Sequence, residues 1–139
     1  MSIHVDTIEG FTGMFDGEGA WYDATGKSAA YRIRQTNDST AEGFKVGFKH
    51  DFEDGGVVEA HFIMTWIAPN LIRVDVAGAP VGNGFVFGGF CHYHMKFGDK
   101  FVEVSYRSVA EGLEVFGSST TNAKGNYIAW KEILRRSAA

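Results

Sequence analysis

The chain has 139 residues, 45% of them hydrophobic and 22% charged. That composition suits one folded domain over 1–139 and excludes a disordered chain. A net charge of −4 offers no basic footprint for nucleic acid. No apolar run approaches the ~18 residues of a membrane helix. The opening Met-Ser-Ile-His-Val-Asp has neither the basic nor the apolar part of a secretory signal, and Cys91 has no cysteine partner, so a cytoplasmic location is expected.

Taken in chain order, the first element expected is a short helix. Asp6 and Glu9 have the spacing of a capping box, and Ile8, Phe11 and Phe15 follow at helical spacing. Beyond it the period changes to two. Residues 28–37 set Tyr31, Ile33 and Gln35 against Arg32 and Arg34. Residues 43–50 set Phe44, Val46 and Phe48 against Lys45 and Lys49, and His50 continues the apolar face. Residues 57–67 set Val58, Ala60, Phe62, Met64 and Trp66 against Glu59, His61 and Thr65. Residues 71–77 and 101–108 alternate in the same way. Such alternation is the mark of half-buried antiparallel strands.

Turn signals separate these segments, among them Asp23–Gly26, Asp54-Gly55-Gly56, Ala68-Pro69-Asn70, Ala79-Pro80 and Gly98-Asp99. The pair Gly88-Gly89 can supply the two positive φ angles of a type I′ hairpin, which raises the strand count from about nine to about ten. Short connections throughout favour a meander that closes on itself, because closure removes both exposed edges. The expected fold is therefore all-β: an antiparallel up-and-down barrel of about ten strands with a short N-terminal helix.

The segment Gly13-Met14-Phe15-Asp16-Gly17-Glu18-Gly19 resembles the Gly-x-Trp-x-Gly-x-Gly signature that opens the first strand of nitrobindin-type barrels, with Phe15 at the Trp position. Gly19-Ala20-Trp21 is similar to the Gly-x-Trp found near the start of lipocalins. Both belong to the calycin-like group of ligand-binding barrels, and the resemblance implies that fold over the whole chain. It also implies that the opening glycines let the first strand approach its neighbours while Phe15 or Trp21 plugs the closed end. Nitrobindin-type proteins hold haem through a histidine in the closing strands. The segment 125–136 holds none, so no haem ligand is carried over and no cofactor is expected.

Several side chains could carry chemistry. His92 and His94 share one strand face and could reach one metal, but the apolar face of that strand is Cys91, Tyr93 and Met95, which puts both histidines outside. Cys91 reads as a small buried hydrophobe, with His50 the one inward base it could meet. Tyr31, Phe48, Phe62, Trp66, Tyr93 and Tyr106 all fall on inward faces, together with His50. Apolar walls with a few polar points are what a small-molecule pocket needs. The leading expectation is a binder of a small hydrophobic molecule, with Tyr31, His50, Tyr93 and Tyr106 orienting its polar groups. A cofactor-independent enzyme using a His50–tyrosine acid–base pair, and a filled structural barrel, are the alternatives. A homodimer is compatible with the sequence.

Overall fold

The computed structural model describes residues 9–137 except 122–125. Ten strands follow one another: β1 (Gly13–Asp23), β2 (Ser28–Ser39), β3 (Gly43–Phe52), β4 (Val57–Ala68), β5 (Leu71–Val76), β6 (Ala79–Phe87), β7 (Phe90–Phe97), β8 (Lys100–Val109), β9 (Gly112–Thr121) and β10 (Asn126–Arg136). Each pairs antiparallel with its neighbours in sequence, and β1 pairs with β10 to close the barrel. The period-two pattern produces this directly. One side of every strand is apolar and must be covered, and a closed meander covers all ten at once without leaving an edge.

The turns divide the barrel into two unlike ends. At one end the β2–β3, β4–β5, β6–β7 and β8–β9 turns meet the start of β1. There Phe11, Phe15, Phe44, Ile72, Val86, Cys91, Leu113 and Leu134 are packed with almost no exposure. A 3-10 turn, Glu9–Phe11, lies over this end against β8 and β9. It is tied down by Asn37, whose Nδ2 donates to the Phe11 carbonyl at 2.7 Å. Burying each large side chain here contributes ~1.5–3 kcal/mol. The other end, ringed by the β1–β2, β3–β4, β5–β6 and β7–β8 turns, is open.

The capping box at Asp6–Glu9 lies largely outside the described residues, and of the short helix expected there only the 3-10 turn Glu9–Phe11 is described; Phe15 stands in β1. Two turn expectations need correction. The Gly88-Gly89 hairpin exists, but only Gly88 has positive φ (52°). That is the requirement of a type II′ turn and not of type I′. The turn expected at Ala79-Pro80 falls two residues earlier, at Ala77-Gly78, where both φ values are positive (52° and 82°). Pro80 instead enters β6 beside the register shift at Val74/Asp75, an irregularity that spares it a ladder donor.

Candidate functional site

Just above the packed end, the barrel interior is not filled. A cavity of about 510 Å³ opens between the aromatic side chains of the inner wall. Of the residues expected inside, Tyr31, Phe48, His50, Phe62, Tyr93 and Tyr106 line it. Trp66 does not. It shares the face of Phe62 but stands four residues further along β4, ~13 Å at the rise of a strand. There it packs against Phe44 at the closed end, with ring centroids 6.4 Å apart. Trp21, expected as a plug for the closed end, lines the cavity towards its mouth with Trp130, its partner in register. Phe15 alone of that pair sits at the closed end.

The site's centre is a residue that the composition and motif reading passed over. Glu132 on β10 points inward and is 3% exposed. Its neighbours two residues away, Trp130 and Leu134, are inward too, so the period of two carries this information. The carboxylate lies across the barrel wall from Tyr31, and Gly19 of β1 separates them, paired in register with both. A Cβ at Gly19 would lie 2.8 Å from the Tyr31 ring and 2.8 Å from Glu132 Cγ. Absence of that atom lets the two side chains meet over the strand, and the Tyr31 hydroxyl donates to Glu132 Oε2 at 2.7 Å. Gly17 serves the same close approach one step along, since a Cβ there would run into the Ile133 carbonyl.

His50 is sandwiched between rings. It stacks on Tyr31 at 4.6 Å and on Phe48 at 4.4 Å between centroids. Its Nε2 is 3.6 Å from Glu132 Oε2, too far for a hydrogen bond. Burial pushes the His50 imidazole down to about 4 and the Glu132 carboxyl up to about 7, the latter offset in part by the Tyr31 hydrogen bond. Near neutral pH the contact is therefore between a neutral imidazole and a half-protonated carboxyl, not a salt bridge. The expected His50–tyrosine pair is a stacked pair. The phenol of Tyr31 spends its proton on Glu132, and burial beside that carboxylate raises its own pKa.

A second polar group faces the first. The hydroxyls of Tyr93 and Tyr106 lie 2.6 Å apart, and Gln35 Nε2 donates to Tyr106 at 3.3 Å and to Asn37 Oδ1 at 3.1 Å. Burial raises both phenols, and the nearby Glu132 charge adds to this. Both therefore keep their protons. Two phenolic protons are present and one is consumed between the pair, while Gln35 arrives as a donor. Among the described residues no acceptor takes the other proton, so one O–H remains to donate into the cavity.

The remaining candidates lie elsewhere. Cys91 is fully buried and absent from the cavity wall, and burial pushes its thiol up to about 12, the setting of an inert cysteine. His92 and His94 are on the outer face. His92 Nδ1 is 2.9 Å from Ser105 Oγ, and its ring meets Phe85 edge-on. Among the described residues no three His, Cys, Asp or Glu side chains gather in a way that could hold a metal. No helix in the described residues is long and apolar enough to cross a membrane.

Fold and cavity together define a closed ten-stranded antiparallel barrel with an aromatic-walled interior. Solved structures of the same architecture bear this out. The chain is similar to an S-type phycobiliprotein lyase, CPES, from Guillardia theta (TM-score 0.78, 10% identity, covering 100% of this chain and 94% of that one). It is also similar to Rv2717c from M. tuberculosis (TM-score 0.71, 13% identity, 96% and 97% covered). A third likeness is to a DUF3598 family protein from Nostoc punctiforme (TM-score 0.68, 8% identity, 94% and 49% covered). No protein-family model matches the sequence, and no curated protein matches it significantly.

Proposed function

We propose that this barrel binds a small, mostly apolar molecule in the cavity below Trp21 and Trp130. The observation that carries the reading is an unfilled interior of about 510 Å³ walled by aromatic and aliphatic side chains, with its polar atoms gathered at Glu132, Tyr31 and the Tyr93–Tyr106 pair. That volume is within the range of small-molecule sites, and apolar walls with a few fixed polar groups give affinity and orientation together. The likeness to a phycobiliprotein lyase is compatible with a small organic ligand. The opening Gly-x-Phe-x-Gly-x-Gly segment supports kinship with nitrobindin-type barrels, without their haem. One domain acting in the cytoplasm, its Cys91 kept reduced, completes the reading.

The test is titration with the neutral dye N-phenyl-1-naphthylamine. Its emission is expected to rise on binding, and tryptophan emission to fall. Phe48→Ala is expected to weaken binding about tenfold or more, since losing one buried aromatic contact can exceed the ~1.4 kcal/mol of a factor of ten. The double change His92→Ala, His94→Ala is expected to leave affinity within about twofold. A dye that ignores the cavity, or responds to the outer histidines and not to Phe48, overturns the reading. Native mass spectrometry of the same sample reads a retained ligand and any homodimer directly.

A further inference from the structure

The cavity sets two kinds of polar group against one apolar space. On one side is a buried carboxyl with one oxygen engaged by Tyr31 and the other, Oε1, without a partner among the described residues. On the other is a buried phenol pair with one proton unspent. An acceptor-side group and a donor-side group in the same apolar-walled pocket are the two requirements for removing a proton from carbon beside a carbonyl. The base takes the proton, and the donor holds the oxygen on which charge develops.

Resting on the binding reading above, we infer that the cavity is a proton-transfer site for enolisable apolar ketones, with Glu132 as base and the Tyr93–Tyr106 pair as hydrogen-bond donor to the carbonyl oxygen. Glu132 Oε1 forms a bond to the proton of the carbon next to the carbonyl. The C–H electron pair becomes the C=C bond of an enolate, and the carbonyl π pair moves onto oxygen, where the phenol proton meets it. The Glu132 carboxyl proton then swaps with solvent at the cavity mouth and is returned to the same carbon, giving exchange, or is returned directly to a conjugated carbon, giving isomerisation. Nothing is oxidised or reduced and no co-reactant is consumed. Tyr31 is a positioning residue: its hydrogen bond to Oε2 holds the carboxylate in place and leaves Oε1 as the unengaged oxygen.

Burial that lifts Glu132 to about 7 makes it a stronger base than an exposed carboxylate while leaving part of it ionised near neutral pH. The titratable groups facing it are Tyr31 from β2, His50 from β3, Tyr93 from β7 and Tyr106 from β8, with Lys100 at the mouth. The three phenols stay protonated and His50 stays neutral across this range. The rate is therefore expected to rise with pH through about 7 as Glu132 ionises.

The probe is 2-tetralone, an apolar bicyclic ketone, in deuterated buffer. Loss of its C1 protons is followed by NMR, and its binding by tryptophan quenching in the same samples. Expected are saturable exchange above the buffer rate, a fall of about 100-fold or more in Glu132→Gln with quenching retained, and a fall of about tenfold or more in Tyr93→Phe. In Tyr31→Phe the pH midpoint should rise, because the hydrogen bond that favours the carboxylate is gone. Quenching without exchange overturns the proton-transfer inference and leaves the binding reading standing. Exchange that survives Glu132→Gln also overturns it. Quenching by neither 2-tetralone nor the naphthylamine dye overturns both. Should Glu132→Gln fail to fold by thermal melting, Tyr93→Phe and the pH profile of the unmodified protein decide the question.

Discussion

Gly19 holds the site open by contributing no atoms. It separates Tyr31 from Glu132 in register, and a methyl group there would press on both at 2.8 Å. Gly19→Ala is therefore expected to part the Tyr31–Glu132 hydrogen bond and cost about 1–3 kcal/mol, the usual range for overpacking, as read by urea unfolding. An unchanged midpoint would mean that the two side chains meet by some other route. Glu132 and His50 make a second, sharper forecast. The raised Glu132 pKa means that the folded state holds a proton the unfolded chain loses above about 4.5, so its contribution declines as pH rises from there to about 7. The lowered His50 pKa means that the unfolded chain binds a proton below about 6.5 that the folded state refuses until about 4, so its contribution grows with pH over that span. Each is worth about 3 kcal/mol, His50 somewhat less because its side chain keeps 15% exposure. The two slopes oppose each other between pH 4.5 and 6.5. Wild type should be nearly flat there. Glu132→Gln should gain stability with rising pH, and His50→Phe should lose it. Parallel curves for all three proteins would refute the pair of shifts.

At the scale of elements, alternation made the strands legible, and local backbone chemistry made the turns less so. Residues 28–37, 43–50, 57–67, 71–77 and 101–108 were readable because apolar and charged side chains trade places without a break; four of the five lie wholly within observed strands, and only Ala77, the last residue of 71–77, falls outside, in the β5–β6 turn. The end of β10 was harder. Trp130, Glu132 and Leu134 share the inner face with a carboxylate among them, and a charge at an inner position reads as an outer one until its neighbours are counted. Height along a strand is invisible to a period of two, which is why Trp66 was grouped with Phe62 and His50 although it packs at the other end against Phe44. The β5–β6 turn was misplaced because Pro80 is a strong turn signal, whereas the turn is made by Ala77-Gly78 with alanine at a φ of 52°. That conformation crowds the alanine Cβ, at a cost of roughly 1–2 kcal/mol. Ala77→Gly is expected to stabilise the protein by about 0.5–1 kcal/mol net of glycine's greater chain entropy, measured as a rise in the unfolding midpoint. A loss would show that the Ala77 methyl makes a contact worth more than the strain.

For the whole molecule, closure separates stability from binding. The chain returns β10 to β1 and thereby seals every edge, while the turns at the two ends are free to differ. Over the packed end Phe11, Phe15 and Phe44 are covered by the 3-10 turn and one another. Towards the open end Trp21, Phe52, Trp130 and Phe48 stand around space and not around side chains. The two regions should answer differently to the same chemical change. Phe15→Ala removes a fully buried ring and is expected to cost about 3–5 kcal/mol, while its effect on dye affinity, measured well below the unfolding transition, stays within about twofold. Phe48→Ala removes a ring with the cavity on one side, so less packing is lost and the cost is expected to be about 1–2 kcal/mol, whereas affinity falls about tenfold. The comparison also guards against the trivial outcome in which any large aromatic deletion abolishes binding by unfolding the barrel. If Phe15→Ala weakened binding as much as Phe48→Ala while both proteins remained folded, the two ends would be coupled through the packed layer of Tyr93 and Tyr106. The interior would then behave as one deformable core and not as a plug beneath a pocket.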